Sequence, residues 1–377
     1  MGCDPISLMT SRWENLRQDF RVTQNHIYLD HAACGPVPEP VLKRVQAYYD
    51  SNAEQGDAAW PKWLKQREHV RERVAAFLNA DPAEIAFTHS TSHGMNLIAE
   101  MLASQGTVLT NELEFPSSTL PWIWRKAALI FQKEQEGSIP PGVLQQHLDP
   151  SIKTILTSFV QYSTGFRQDL EALGRMKGDR YLVVNATQGL GAFPIDVKAC
   201  KIDFLCSNSY KWLLAGYGGG ILYIRRELLS KFPPASIGWR SVADSDKMDN
   251  RGLDLRDDAA RYELGCPSFP TIFAVGAAIE YLNGIGQDKI QQRILDLTAF
   301  AIRELTQNGL EVTSPSETEH RSGIVVFKAP NPKRLWQKLM ENGIYVSPRG
   351  AGIRLSPHFY NTFEEIETVV KRVKEFL

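Results

Sequence analysis

Among the residues able to do covalent chemistry, Lys211 is distinguished by its setting. The stretch Ser207-Asn208-Ser209-Tyr210-Lys211-Trp212-Leu213 closes a short apolar run of Phe204, Leu205 and Cys206, so the lysine falls just beyond a predicted strand. Apolar residues precede it and Trp212, Leu213 and Leu214 follow it, surroundings that disfavour an ammonium and leave a neutral amine able to capture a carbonyl carbon. On its own the position reads as a lysine snorkelling from a strand end. The rest of the chain decides between the two.

Three other segments border predicted strands, two following one directly and the third leading into one. The first, Thr88-His89-Ser90-Thr91-Ser92-His93-Gly94, leads into an apolar helix through Leu97, Ile98, Met101 and Leu102. Hydroxyls and free backbone N–H groups gather there, where a phosphate is well held, although an ordinary N-cap by Thr91 or Ser92 accounts for the same residues. His93 has no visible partner and reads as a solvated or capping histidine. In the second segment Asn185 ends a strand with Gln188 three residues on, and an amide in that place can cap a turn. In the third, Gly216-Tyr217-Gly218-Gly219-Gly220 permits either a close backbone approach to a ligand or a tight turn.

The elements that must position these segments follow an α/β pattern. Short apolar runs at 85–88, 108–110, 128–131, 154–160, 181–184, 204–206 and 221–224 predict seven strands with helical stretches between several of them. Such runs predict a largely parallel sheet covered on both faces, with ligands beyond the carboxyl ends of the strands. Upstream, the first twenty residues predict an amphipathic lead-in helix, Gly35-Pro36-Val37-Pro38 must turn, and Pro38 or Pro40 starts a helix. Val41, Val45 and Tyr48, then Val70, Val74, Phe77 and Leu78, repeat at helical spacing, which makes 38–79 mostly helix. Downstream of 269 the pattern predicts helices to Tyr281, over 287–307 and over 364–376, with strands near 324–327 and 344–347. A large domain at 21–268 and a smaller one of 1–20 with 269–377 are therefore expected.

A length of 377 residues, 43% of them hydrophobic, suits two globular domains, and a formal net charge of -1 gives no overall basic field for nucleic acid. No stretch reaches the roughly 18 consecutive apolar residues that cross a membrane. Residues 1–10 lack the basic and apolar regions of a secretory signal, and Cys3, Cys34, Cys200, Cys206 and Cys266 show no C-x-x-C spacing. A reduced, cytoplasmic protein without a zinc site is expected.

Taken together, the segments carry a resemblance. Tyr28-Leu29-Asp30-His31-Ala32-Ala33, Phe87 to Asn96, Glu114-Phe115-Pro116-Ser117, Asn185-Ala186-Thr187-Gln188, Ser209 to Leu213, Arg261 to Ser268 and Ile353 to Thr362 occur in the order and at separations like those of class V aminotransferases. The chain from about Tyr28 to Leu377 thus resembles that family of fold-type I, pyridoxal 5'-phosphate-dependent enzymes. The resemblance implies that Lys211 forms a Schiff base with the cofactor, and that Thr91, Ser92 and Tyr210 hold its phosphate with a weaker contribution from Asn208. It also implies that Phe115 stacks on the pyridine ring, Asn185 faces the ring nitrogen, Gln188 reaches the phenolic oxygen, and Arg354 pairs with the substrate carboxylate beside His31. A homodimer is implied too, in which the stretch at Gly265-Cys266 completes the partner's phosphate site. Arg167, Trp239, Arg240 and Arg349 are candidates for the substrate pocket and equally for surface or packing positions.

The chain departs from the family pattern in several places. Cysteine desulfurases of the family carry a nucleophilic cysteine in the loop before the carboxylate-binding arginine, whereas Val346 to Gly352 is short and contains none. Asn185 stands where the family has an aspartate that protonates the pyridine nitrogen, Cys266 where a hydroxyl is usual, and Phe115 cannot assist proton transfer as a histidine could. The expected activity is that of an aminotransferase on an amino acid. A carbon–sulfur β-lyase, an amino-acid epimerase, or a cofactor-binding protein whose catalysis has decayed are the alternatives.

Overall fold

The computed structural model describes residues 12–377. Residues 12–17 are helical (α1), and the remainder of the expected lead-in helix lies outside the described residues. The chain then alternates β1 (Ile27–Tyr28), α2 (Glu39–Gln55), α3 (Trp60–Leu78), β2 (Ile85–Thr88), α4 (Thr91–Leu102), β3 (Thr107–Asn111), α5 (Pro116–Trp124), β4 (Leu129–Gln132), α6 (Pro141–Gln145), β5 (Ile152–Ser158), α7 (Leu170–Met176), β6 (Tyr181–Asn185), β7 (Phe204–Asn208), β8 (Gly220–Ile224) and α8 (Arg226–Lys231). The seven strands expected from the apolar runs form one sheet in the order β2-β8-β7-β6-β5-β3-β4. β8 runs antiparallel to both of its neighbours, and the other pairings are parallel.

Alternate residues of the central strands feed two separate cores, which is why these strands read as unbroken apolar runs. Ile155, Leu182, Val184 and Leu205 join one cluster with Val70, Val74 and Phe273, whereas Leu156, Val183, Phe204 and Cys206 join another with Met95, Ile98 and Leu102 of α4. Both faces of the sheet are thereby closed to water, and only the strand ends remain for a ligand.

The C-terminal part comprises α9 (Phe269–Ile285), α10 (Gln287–Gln307), β9 (Val325–Lys328), α11 (Pro332–Glu341), β10 (Ile344–Tyr345), β11 (Ser347–Arg349), β12 (Gly352–Leu355) and α12 (Phe363–Phe376). The strand expected over 344–347 is divided at the buried Val346: β10 pairs in parallel with β1, and β11 then turns into the antiparallel sheet β11-β12-β9. Packing crosses the boundaries drawn from the sequence. Leu29 shares a core with β9, β12 and α12, while Phe273 and Ile279 of α9 share one with α2, α3 and the large sheet.

Candidate active site

Five strands of the large sheet end on one cleft. Ser90, Thr91 and Ser92 follow β2, Phe115 follows β3, Ser158 ends β5 with Val160 and Tyr162 beyond it, Asn185 ends β6, and Asn208 ends β7 with Lys211 beyond it; all of these line one cleft.

The loop that carries Lys211 is held from behind. Ser209 accepts the Ala215 N–H at 2.9 Å and donates its own N–H to the Gly219 carbonyl at 3.0 Å, closing a short loop. Trp212 is fully buried, and its indole N–H donates to Gln188 Oε1 at 2.9 Å. A Cβ on Gly35 would lie 2.2 Å from the Lys211 carbonyl oxygen, so the Gly35-Pro36-Val37-Pro38 turn can cross the loop only with glycine there. Lys211 itself is 9% exposed, and burial, then Arg354 and Arg349, bring its ammonium down to about 7 against a weaker opposing effect of Asp30. That is the neutral amine that its sequence surroundings predict.

At α4 the helix cap is Ser90, whose backbone is extended and whose Oγ accepts the His93 N–H at 3.1 Å. The expected alternative, a cap by Thr91 or Ser92, is thus corrected. The consequence favours ligand binding: the N–H groups of Thr91 and Ser92, at the first two helical positions, have no backbone acceptor among the described residues. Thr91 Oγ1 meets Thr187 Oγ1 at 2.6 Å, and the buried Asn208 Oδ1 has no partner. Tyr210 stacks on Tyr217 at 4.2 Å between ring centroids. His93 is not solvated alone; its ring stacks on His89.

Glu114 sets the position of Phe115. Its buried carboxylate accepts from Asn111 Nδ2, Ser158 N–H, Ser158 Oγ and Gln161 Nε2 at 3.1, 2.5, 2.6 and 2.9 Å. The Phe115 ring centroid lies 5.9 Å from Lys211 Nζ, and the ring meets Tyr162 edge-on at 5.1 Å. Asn185 is held on two sides: Oδ1 accepts the Thr187 N–H at 3.1 Å, closing the turn expected there, and Nδ2 donates to Ser118 Oγ at 2.9 Å. Its amide nitrogen keeps a second N–H.

Arg354, on β12, is 1% exposed and reaches the Tyr162 carbonyl at 3.2 Å and Asp30 Oδ1 at 3.5 Å, while its Nε has no partner. Burial and the neighbouring Arg349 bring the guanidinium down to about 10. Asp30 is itself raised by burial, opposed by Arg354 and by the Ser347 hydroxyl, which donates to it at 2.7 Å.

Three expected site residues sit differently. His31 is fully buried, with Nδ1 on the Ser356 carbonyl at 3.0 Å and Nε2 on the Tyr360 hydroxyl at 2.8 Å, so neither ring nitrogen is open to a substrate; burial holds it neutral, down to about 3. Gln188 spends its oxygen on Trp212 and one N–H on the Ala32 carbonyl at 2.9 Å, which leaves one N–H. Cys266 is exposed and lines a separate groove with His89, His93 and Gly219, away from Lys211. Of the pocket candidates, Arg167 ties down the Arg321 and Thr318 carbonyls instead. The sequence reading misses Cys34, whose half-buried thiol lies near enough to Lys211, Asp30 and Tyr217 to interact with each. Its signal is its place four residues after Asp30 in the first motif; burial raises it and keeps it a thiol.

These residues can hold a phosphate at a helix N-terminus, pack a flat ring against Phe115 and offer a neutral amine to an aldehyde, which together fit pyridoxal 5'-phosphate. The sequence matches the profile of the family described as Aminotransferase class-V over residues 27–369. It is 29% identical to an uncharacterized aminotransferase of Bacillus subtilis over 96% of this chain and 97% of that protein. It is equally, 29%, identical to a probable cysteine desulfurase of Pyrococcus abyssi over 97% of each chain. Among solved structures, an apo structure of a cysteine desulfurase from Thermococcus onnurineus NA1 is similar with a TM-score of 0.88 and 26% identity, covering 96% of this chain and 97% of that one. With a fold-type I sheet, a buried lysine beyond β7 and a family match over nearly the whole sequence, the chain belongs to the class V aminotransferase family.

Proposed function

We propose that the protein is a pyridoxal 5'-phosphate-dependent aminotransferase acting on an α-amino acid. The observation that carries this reading is the buried Lys211 amine, brought down to about 7, facing a helix N-terminus with two free N–H groups across one cleft. Lys211 would hold the cofactor covalently. Thr91, Ser92 and Tyr210, with Asn208, would take the phosphate; Phe115 would pack on the ring, and the remaining N–H groups of Asn185 and Gln188 would serve its nitrogen and phenolic oxygen. When bound, the cofactor supplies an electron-withdrawing ring that stabilises negative charge at the substrate Cα.

Arg354 orients the substrate through its carboxylate, since a guanidinium offers parallel donors to a planar anion. The Lys211 amine, once released from the cofactor and able to lose its proton near pH 7, would take the proton from Cα and deliver it on the cofactor side rather than back to Cα, the shift that amine transfer requires. A neutral Asn185 gives the ring nitrogen no anionic partner, which favours slow transfer. The exposed Cys266, outside the cleft of its own chain, supports a homodimer in which it reaches the phosphate of the second subunit.

The test is a spectral screen of the purified holoprotein against a panel of amino acids, followed by product analysis. Keto acid formed with stoichiometric amine transfer to an acceptor is the expected result. Pyruvate with sulfide, a racemised amino acid, or a spectral shift without turnover would replace the reading with a β-lyase, an epimerase or a decayed enzyme. Release of persulfide sulfur from cysteine is not expected, because residues 346–352 hold no thiol and burial keeps Cys34 protonated. Alanine formed in step with an enzyme-bound persulfide would overturn that part.

A further inference from the structure

The hairpin that carries Arg354 also presents a second guanidinium to the same space. β11 and β12 pair with Ser347 opposite Arg354 and Arg349 opposite Gly352. Because side chains alternate across a strand, Ser347, Arg349 and Arg354 share one face of the hairpin. That face is turned toward Asp30, which accepts the Ser347 hydroxyl and lies 3.5 Å from Arg354 Nη2. Arg349 and Arg354 both lie close enough to Lys211 to disfavour its charge, and close enough to each other for Arg349 to lower Arg354.

The two guanidiniums are poorly satisfied. Arg349 is partly buried, donates to the adjacent Pro348 carbonyl at 2.9 Å, and makes no ion pair among the described residues; its Nε is buried without an acceptor. Arg354 is 1% exposed, and its Nε is likewise without an acceptor. Among the described residues Asp30 is the only carboxylate in ion-pairing reach of Arg354, at the long distance of 3.5 Å and while also engaged by Ser347, and none is within that reach of Arg349. A desolvated Arg354 and a half-buried Arg349 that face one distant carboxylate leave positive charge under-compensated on this face, and an arriving anion would pair with it. One substrate carboxylate answers Arg354. It leaves Arg349 as it was.

The geometry points to a substrate that carries two anionic groups: an α-amino acid whose carboxylate sits on Arg354 and whose side-chain anion, a carboxylate or an equivalent oxyacid, sits on Arg349. This rests on the reading of the Lys211 cleft as an amino-acid site. Arg349 is then a specificity-determining residue, selecting acidic side chains over neutral ones. A neutral side chain of the same length would cover the half-buried guanidinium without giving it an anion, and its buried Nε would stay without an acceptor.

Unreactive ligands test this without turnover. Holoprotein is titrated calorimetrically with butyrate, succinate and 3-sulfopropionate, which carry one carboxylate, two carboxylates, and one carboxylate with a sulfonate. Succinate should bind at least about ten-fold more tightly than butyrate, and the sulfonate shows whether the second subsite takes oxyacids beyond carboxylates. Arg349→Gln should bring succinate to the level of butyrate while butyrate shifts less than about two-fold, and Arg349→Lys should recover part of the preference. Equal affinities in the parent protein, no binding of any ligand, or a preference that survives Arg349→Gln would overturn the inference. Borohydride reduction of the same preparation separates the two proposals: failure to fix the cofactor on Lys211 undoes the proposed function, whereas a labelled Lys211 with equal affinities undoes only the role of Arg349.

Discussion

Two lysines lie at opposite ends of the parallel strands with nearly the same burial, Lys177 at 8% and Lys211 at 9% exposure. At the amino end, Lys177 Nζ sits 2.7 Å from the carboxylate of the fully buried Asp203, which also accepts the Leu182 N–H at 2.8 Å. At the carboxyl end, Lys211 has no carboxylate within ion-pairing distance among the described residues and has two arginines nearby. Equal burial therefore goes with an ion pair in one place and with an amine that loses its proton near neutral pH in the other. At the same depth, the presence or absence of a carboxylate partner separates the two.

Removing each lysine's function should break this comparison in different currencies. Lys211→Ala should lower turnover by at least about 10³-fold and abolish borohydride fixation of the cofactor, measured by steady-state assay and peptide mapping, with the fold intact by circular dichroism. A label on any other lysine would remove Lys211 from the centre of the mechanism. Asp203→Ala strands the Lys177 charge and should cost about 3–5 kcal/mol in urea unfolding, with little direct effect on the cleft. A stability change near zero would show that the amino-end pair is dispensable.

Arg354→Ala should weaken amino-acid binding by about 2–5 kcal/mol in spectral titrations and leave the cofactor spectrum as it was. Unchanged affinity would return Arg354 to a structural partner of Asp30. The pH dependence sharpens the contrast further. Lys211 loses its proton as pH rises through about 7, well below the ordinary lysine range, so cofactor capture by the apoprotein should speed up across that pH and level off above it. A rise that continues toward pH 10 would mean that the surroundings do not hold the amine neutral.

The smallest expected effect belongs to Asn185. Asn185→Asp adds a negative charge beside the ring nitrogen, and one unit of pKa is worth about 1.4 kcal/mol. Nitrogen NMR of labelled cofactor should show a larger protonated fraction in the variant. A ring nitrogen fully protonated in the parent protein would mean that another acid serves it.

The seven sheet strands are legible in the sequence because strands buried on both faces have to be apolar at successive positions, as Phe204, Leu205 and Cys206 are. Lys211 is legible because its apolar neighbours adjoin it in the chain. What is not legible depends on backbone direction or on distant partners. Ser90, Thr91 and Ser92 offer three adjacent hydroxyls, and only the extended backbone at Ser90 makes it the cap. The engagement of His31 needs Ser356 and Tyr360 from the far end of the chain, and the placing of Arg349 on one face with Arg354 follows from the hairpin register. The nearness of Cys34 to Tyr217 and Lys211, both far along the chain, appears only after folding.

The placement of β8 bears on how the molecule can be made. β2 stands at the edge of the sheet, and β8, at residues 220–224, is its single neighbour there. A nascent chain leaving the ribosome therefore cannot pair β2, nor seat the helix start that follows it, until the segment beyond Lys211 has emerged. Strands β3 to β7 can assemble in the meantime, since their neighbours are already available. The phosphate side of the cleft thus closes after the rest of the large sheet, and the open flank of β7 is the surface that the growing chain has to protect from pairing with another chain.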